Sequence, residues 1–328
     1  MTIFNGVGID VSNHHVRLAE VSLLRNVLQT YEIVLEEGLV RDEQVVDVEG
    51  LAKVLKQQLK KTTFSQGVRR TTLLVPESRV LSSGGFFEKR LRGSALDEVV
   101  TERAQQDIPL PFKDAYVSIS CGGKEAGKVR TTLYASQKEV IDGLRGVIDS
   151  EQFRLVAMEA NSKALLRLFF QFASEDMKPC SENELVGIVD VGHSWTTVSF
   201  YTPSGSNVLS RTLSHPDAVQ QGGKNDGKLP VEVLDNIRTT ISESVVYFKQ
   251  HEQVVSTVVL AGVEAYDDMV LEEISKSGGE FQVVRMGEVV KLSGLKPKDI
   301  HTFGAAIGAA LRAVRPWRYN YQHNFSSK

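Results

Sequence analysis

The chain has 328 residues, 41% of them hydrophobic, which is enough for a sizeable core and for two domains or one two-lobed domain. A net charge of -3 leaves no basic excess, so composition argues against an electrostatic grip on nucleic acid. Cys121 and Cys180 have no metal-ligand spacing around them, and neither a signal peptide nor an apolar run of membrane-spanning length is visible. The expectation is a soluble, unexported protein with reduced thiols, in which the sequon Asn324-Phe325-Ser326 is idle.

Apolar residues in 7–9, 16–23 and 31–35 predict three successive strands, linked by polar turns at 12–15 and near Arg25-Asn26, as an antiparallel meander. Asp47 then precedes Leu51, Val54, Leu55 and Leu59 at helical spacing, with basic residues at the helix end as the macrodipole favours. The strand "TTLLVP" stops at Pro76, which cannot donate to a ladder.

From about Arg79 the texture changes. A strand near Val80 and a Gly84-Gly85 loop are expected, then a helix opened by the capping pattern of Ser94 and Asp97 and carrying Leu96, Val99, Val100 and Ala104. It stops at "DIPLPF". Strands follow at "DAYVSIS" and "VRTTLYA", and "SQKE" caps a helix with Val140, Leu144, Val147 and Ile148. Residues 79–152 thus read as a small α+β subdomain inserted into a first lobe of residues 1–182, to which the strand "FRLVAME" and the helix "ANSKALLRLFFQF" return.

A second lobe, residues 183–314, starts with "LVGIVDVGHSWTTVSFY". Its "IVDVGHSWTTVSF" repeats the opening "GIDVSNHHVRL": an apolar strand ending in Asp-Val, a small polar turn, and a second β-branched strand. A polar loop, an amphipathic helix with Leu234, Ile237, Ile241, Val245 and Phe248, the strand "TVVLAG", a helix after Tyr266 and the small-residue helix "FGAAIGAALRAV" complete it. Residues 315–328 form an aromatic and basic tail, whose Trp317, Tyr319, Tyr321 and Phe325 favour docking on a surface.

The duplicated hairpin has a chemical reading. A tip of small residues presents backbone N–H groups to phosphate, and an Asp just before it holds a metal ion or its water shell. This pair resembles the phosphate motifs of the actin, heat-shock chaperone and sugar kinase superfamily, at Gly8-Ile9-Asp10 and at Val189-Asp190-Val191-Gly192 with Thr196-Thr197, and "VLAG" stands at its adenosine motif. "ERAQQDIPLPF", with "VPESRV", "VAMEA" and "FGAAIGAALRAV" in the same order, narrows the resemblance to the PilM family of type IV pilus assembly.

The resemblance implies an α/β, actin-like two-lobed fold with an inserted α+β subdomain. It implies ATP and Mg at Asp10, Ser12, Asn13, Asp190, Gly192, Thr196 and Gly262, with Asp10 and Asp190 near the metal. It also implies a scaffold whose groove between the first lobe and the subdomain binds the cytoplasmic amino-terminal segment of a PilN-like inner-membrane protein, so that the chain meets the membrane only through partners. The alternative is a nucleotide-hydrolysing ATPase or a cell-division actin homologue; no general base for a kinase stands out.

Several positions depart from the family pattern. Ser12, Asn13, His14 and His15 make a bulkier tip, Trp195 replaces a small residue, and the adenosine motif keeps only Gly262. A short loop, 213–230, stands where the family has a helical subdomain covering the nucleotide, so that subdomain is much reduced. Asp10 and Asp190 then have a second reading, as turn residues that bond their own backbone. In "DIPLPF" two prolines fix an extended path for Ile108, Leu110 and Phe112, which either present a partner surface or seal the subdomain core.

Overall fold

The computed structural model describes residues 5–60, 62, 64, 68–88, 94–125, 127–148, 153–215, 229–319 and 323–326. The chain divides into two compact units, residues 1–164 with 305–328 and residues 165–304.

In the first unit, β1 (Gly6–Val11), β2 (His15–Val21) and β3 (Val27–Val34) form the expected antiparallel meander. The short strands β4 (Val40–Arg41) and β5 (Gln44–Val45) precede α1 (Val48–Leu59). Asp47 caps this helix by accepting from the Gly50 amide at 2.8 Å, and Leu51, Leu55 and Leu59 are its buried stripe. The helix connects the meander to β6 (Arg69–Val75), which pairs parallel to β1, and β10 (Phe153–Ala160) pairs parallel to β6. The sheet order is β10-β6-β1-β2-β3.

Between β6 and β10 lies a separate three-stranded sheet, ordered β7-β9-β8, from β7 (Leu81–Glu88), β8 (Ala115–Glu125) and β9 (Lys128–Gln137), with α2 (Ser94–Asp107) and α3 (Lys138–Ile148). The Gly84-Gly85 loop expected from sequence is instead the middle of β7. Gly85 serves packing rather than turning: Arg103 of α2 bonds the Gly84 carbonyl, and a Cβ on Gly85 would stand 1.8 Å from its guanidinium. The side chains of Ser94, Leu96 and Asp97 lie outside the described residues.

The second unit repeats the plan. β11 (Glu184–Val191), β12 (Trp195–Tyr201) and β13 (Asn207–Ser214) are an antiparallel meander, and β14 (Val254–Ala261) and β15 (Gln282–Arg285) add in parallel, giving the order β13-β12-β11-β14-β15. The chain reaches it through α4 (Asn161–Phe172); α5 (Val231–Gln250), α6 (Asp268–Ser275) and α7 (Met286–Val289) cross or flank its sheet, and α8 (Pro297–Val314) leads back. Leu234, Ile237, Ile241 and Phe248 of α5 are buried on Phe200, Val198 and Val258, as their spacing predicts. Most of the 213–230 loop lies outside the described residues.

The small-residue run of α8 has a packing cause. Its carboxyl half lies so close to β1 that a Cβ on Gly8 would stand 1.9 Å from the Ala306 carbonyl oxygen. The glycine beside the first Asp motif is therefore required by close backbone approach.

Candidate functional site

Asp10 stands at the end of β1, partly exposed, opposite Arg17. Burial pushes its carboxyl above the usual range, opposed by the Arg17 charge and by Asn161, whose Nδ2 donates at 3.4 Å. The turn beyond it closes on itself: the Ser12 amide and hydroxyl both donate to the His15 carbonyl, at 2.9 and 3.1 Å. Asn13 Oδ1 accepts from the Glu43 amide at 2.6 Å, which ties the turn to the β4–β5 hairpin.

Glu43 adopts φ 60° there, and its side chain accepts from the Ser78 hydroxyl. Its carboxyl is pushed up to about 7 by burial, against the Ser78 bond and with the negative charge of Asp10 and Glu77 adding to the rise. Glu77 accepts from the Ser162 amide at 3.1 Å. Sequence reasoning missed Glu43, Glu77 and Asn161, which come from three separate segments. Among the described residues no group of three or more His, Cys, Asp or Glu side chains is arranged to hold a metal ion.

The second hairpin has the same four-residue closure, with the Gly192 amide donating to the Trp195 carbonyl at 3.0 Å, and Asp190 sits opposite Thr197. Thr196 is fully buried, and its hydroxyl bonds His215 Nε2 at 2.7 Å. Burial holds the His215 imidazole below its ordinary pKa. Gly262, just past β14, has φ 87°, and a Cβ there would stand 2.5 Å from both Asp190 Oδ1 and the Val191 carbonyl oxygen. Its carbonyl accepts from His301 Nδ1 at 3.2 Å, while His301 Nε2 accepts from the Gly287 amide at 3.3 Å. That is the neutral tautomer, and burial pushes His301 down to about 4.

Each unit thus gathers its own predicted residues: Asp10, Ser12 and Asn13 in one, Asp190, Gly192, Thr196 and Gly262 in the other. Their fit to a phosphate and a cation is narrow. The two aspartates keep exposed surface at strand ends, but the side chains of Ser12, Asn13 and Thr196 are already bonded within their own units.

The predicted partner residues separate by depth. Ile108 is buried with Ala104, Leu133 and Ala135, Leu110 packs partly against that cluster, and Phe112 is exposed at the turn that opens β8. Ile108 therefore seals the subdomain core, while Phe112 faces solvent. β8 is one edge of its sheet and β10 one edge of the larger sheet. Residues 323–326 bridge them: the Asn324 amide donates to Ser118 Oγ of β8 at 2.7 Å, and the Phe325 amide donates to the Met158 carbonyl of β10 at 3.0 Å. Phe325 is buried in the core of the first unit, as docking of the tail requires; the side chains of Trp317, Tyr319 and Tyr321 lie outside the described residues.

Over residues 8–218, well over half of the chain, the sequence matches the family model described as type IV pilus assembly protein PilM. The chain belongs to the PilM family. Among solved structures similar to this PilM-family chain is a PilM-PilN type IV pilus biogenesis complex, 16% identical with a TM-score of 0.74 over 95% of this chain and 99% of that one. The cytoplasmic domain of EpsL, an inner membrane component of the type II secretion system of Vibrio cholerae, is 8% identical with a TM-score of 0.51 over 99% and 98%. The ethanolamine utilization protein EutJ from Carboxydothermus hydrogenoformans is 13% identical with a TM-score of 0.50 over 95% and 90%. At such identities these structures show the fold, which is actin-like. No curated protein gives a significant match. Among the described residues no helix is long and apolar enough to cross a membrane.

Proposed function

We propose that this PilM-family chain is a cytoplasmic scaffold of a type IV pilus or related secretion machine, holding the amino-terminal cytoplasmic segment of a PilN-like inner-membrane protein. The observation that supports this most is the meeting of two sheet edges, β8 and β10, in one unit, with polar groups that bond a segment lying between them. An extended peptide on such edges gains main-chain bonds and side-chain pockets. Phe112, where the chain enters β8, and the half-buried Leu110 would form the rim, with Ile108 as the support beneath.

Calorimetric titration of the partner's cytoplasmic peptide tests this. Phe112→Ala, and the double change with Leu110→Ala, should weaken binding while the thermal melt stays intact. Unchanged affinity with an intact melt removes these residues from the surface.

ATP with magnesium is the ligand proposed for the Asp hairpins and is tested separately, with Asp10→Ala and Asp190→Ala. Loss of magnesium-dependent binding in both variants supports the assignment, because the anionic nucleotide loses its bridging cation. Equal affinity removes it, and measured turnover would favour the ATPase alternative.

A further inference from the structure

Most polar bonds of residues 323–326 go to other elements of the first unit rather than within the segment. Three residues, His323, Asn324 and Phe325, make polar bonds to four different elements, and Ser326 closes a turn on Asn324 Oδ1 with its amide and hydroxyl. On β10, Asn324 Oδ1 accepts from the Met158 amide at 2.9 Å, its Nδ2 donates to the Val156 carbonyl at 3.4 Å, and His323 Nε2 accepts from the Ala160 amide at 3.0 Å. Ser118 of β8 accepts from the Asn324 amide. Arg145 of α3 donates to the Phe325 carbonyl at 3.2 Å, and Arg312 of α8 donates to that of His323 at 2.8 Å.

The apolar side is equally specific. Phe325 enters the core of the first unit, and the His323 ring stacks on Tyr134 at 3.9 Å between centroids. The Asn324 amide supplies the acceptor that the Met158 amide needs and the donor that the Val156 carbonyl needs. An aspartate lacks the donor, and a glutamine carries the group one methylene too far.

We propose that the groove between β8 and β10 is a peptide-recognition site for an asparagine followed by a large apolar residue, and that this chain fills it in cis with its own residues 323–326. Tethering replaces a bimolecular encounter by a local one, so a segment offered in trans competes against a high effective concentration. Any partner peptide that uses this groove must carry the same pair of groups and displace the chain's own segment. The inference rests on the partner-binding reading only in that last consequence.

The test uses the whole chain with a protease recognition sequence inserted between Tyr319 and His323. The protein is folded, cut, and titrated with a fluorescent peptide of residues 320–328, read by anisotropy. The cut chain should keep its thermal melt and exchange its segment for the labelled peptide, whereas the uncut chain should bind it roughly a hundredfold more weakly. A peptide with Asn324→Ala should fail to exchange.

A melt that collapses on cutting would make the segment a core element and overturn the proposal, as would a cut, folded chain that takes up no peptide. Equal exchange of the Asn324→Ala peptide would overturn the assigned specificity. The partner's segment is titrated against the same cut chain. Its failure beside successful exchange of peptide 320–328 counts against the partner reading and leaves the groove assignment standing.

Discussion

Glu159 of β10 and Arg312 of α8 form an ion pair with side chains 0% and 4% exposed. Changing Glu159 to Gln keeps the shape and removes the negative charge of this pair from the buried guanidinium. Breaking a buried pair from one side costs about 3–5 kcal/mol, because the remaining charge stays desolvated. For a unit of this size each kcal/mol lowers the melting temperature by about 2–4 °C, so Glu159→Gln should melt about 6–20 °C lower, read by circular dichroism. Arg312→Met should cost a comparable amount and also withdraw the bond to the His323 carbonyl, so residues 323–326 should exchange amide hydrogens faster in that variant alone. The double variant Glu159→Met with Arg312→Met should recover much of the loss, since well-packed apolar residues replace such pairs at little cost. A single-variant melt within about 2 °C of wild type, well short of the shift expected from breaking the pair, would refute the reasoning.

Glu43 is raised from 4.5 to about 7 in the folded chain, so its contribution is full below the unfolded pKa and is lost as pH rises through the folded one. Glu43→Gln should therefore gain on wild type by up to about 3 kcal/mol between pH 4.5 and 8 in urea denaturation; a constant difference would be wrong for this mechanism. His301 is lowered from 6.5 to about 4, so the unfolded chain takes up a proton first and stability falls from pH 6.5 down to 4, by up to about 3 kcal/mol. His301→Gln should flatten that slope, and an unaltered slope assigns the loss elsewhere. Gly262→Ala combines a left-handed backbone with a clash against Asp190 and should destabilise the second unit by about 1–3 kcal/mol, whereas an unchanged melt would mean that β11 and Gly262 can move apart.

The sequence by itself determined the duplication. Two strands ending in Asp-Val, each followed by a four-residue turn and a β-branched strand, are local patterns of alternation and turn chemistry, and they fold as two hairpins with the same closing bond. The stripes of α1 and α5 were legible for the same reason, because helical spacing alone decides which residues share a face. Tertiary structure decided everything that joins distant segments. It turned Gly84-Gly85 from a loop into a strand, in which Arg103 of a later helix takes the space of the side chain missing at Gly85. Around Asp10 it placed Glu43, Glu77 and Asn161, brought His215 onto Thr196, and laid Asn324 on β10. No periodicity or motif carries such contacts, since each depends on where a remote backbone group lies once the sheets have formed, and a buried polar group takes whichever partner the packing brings to it.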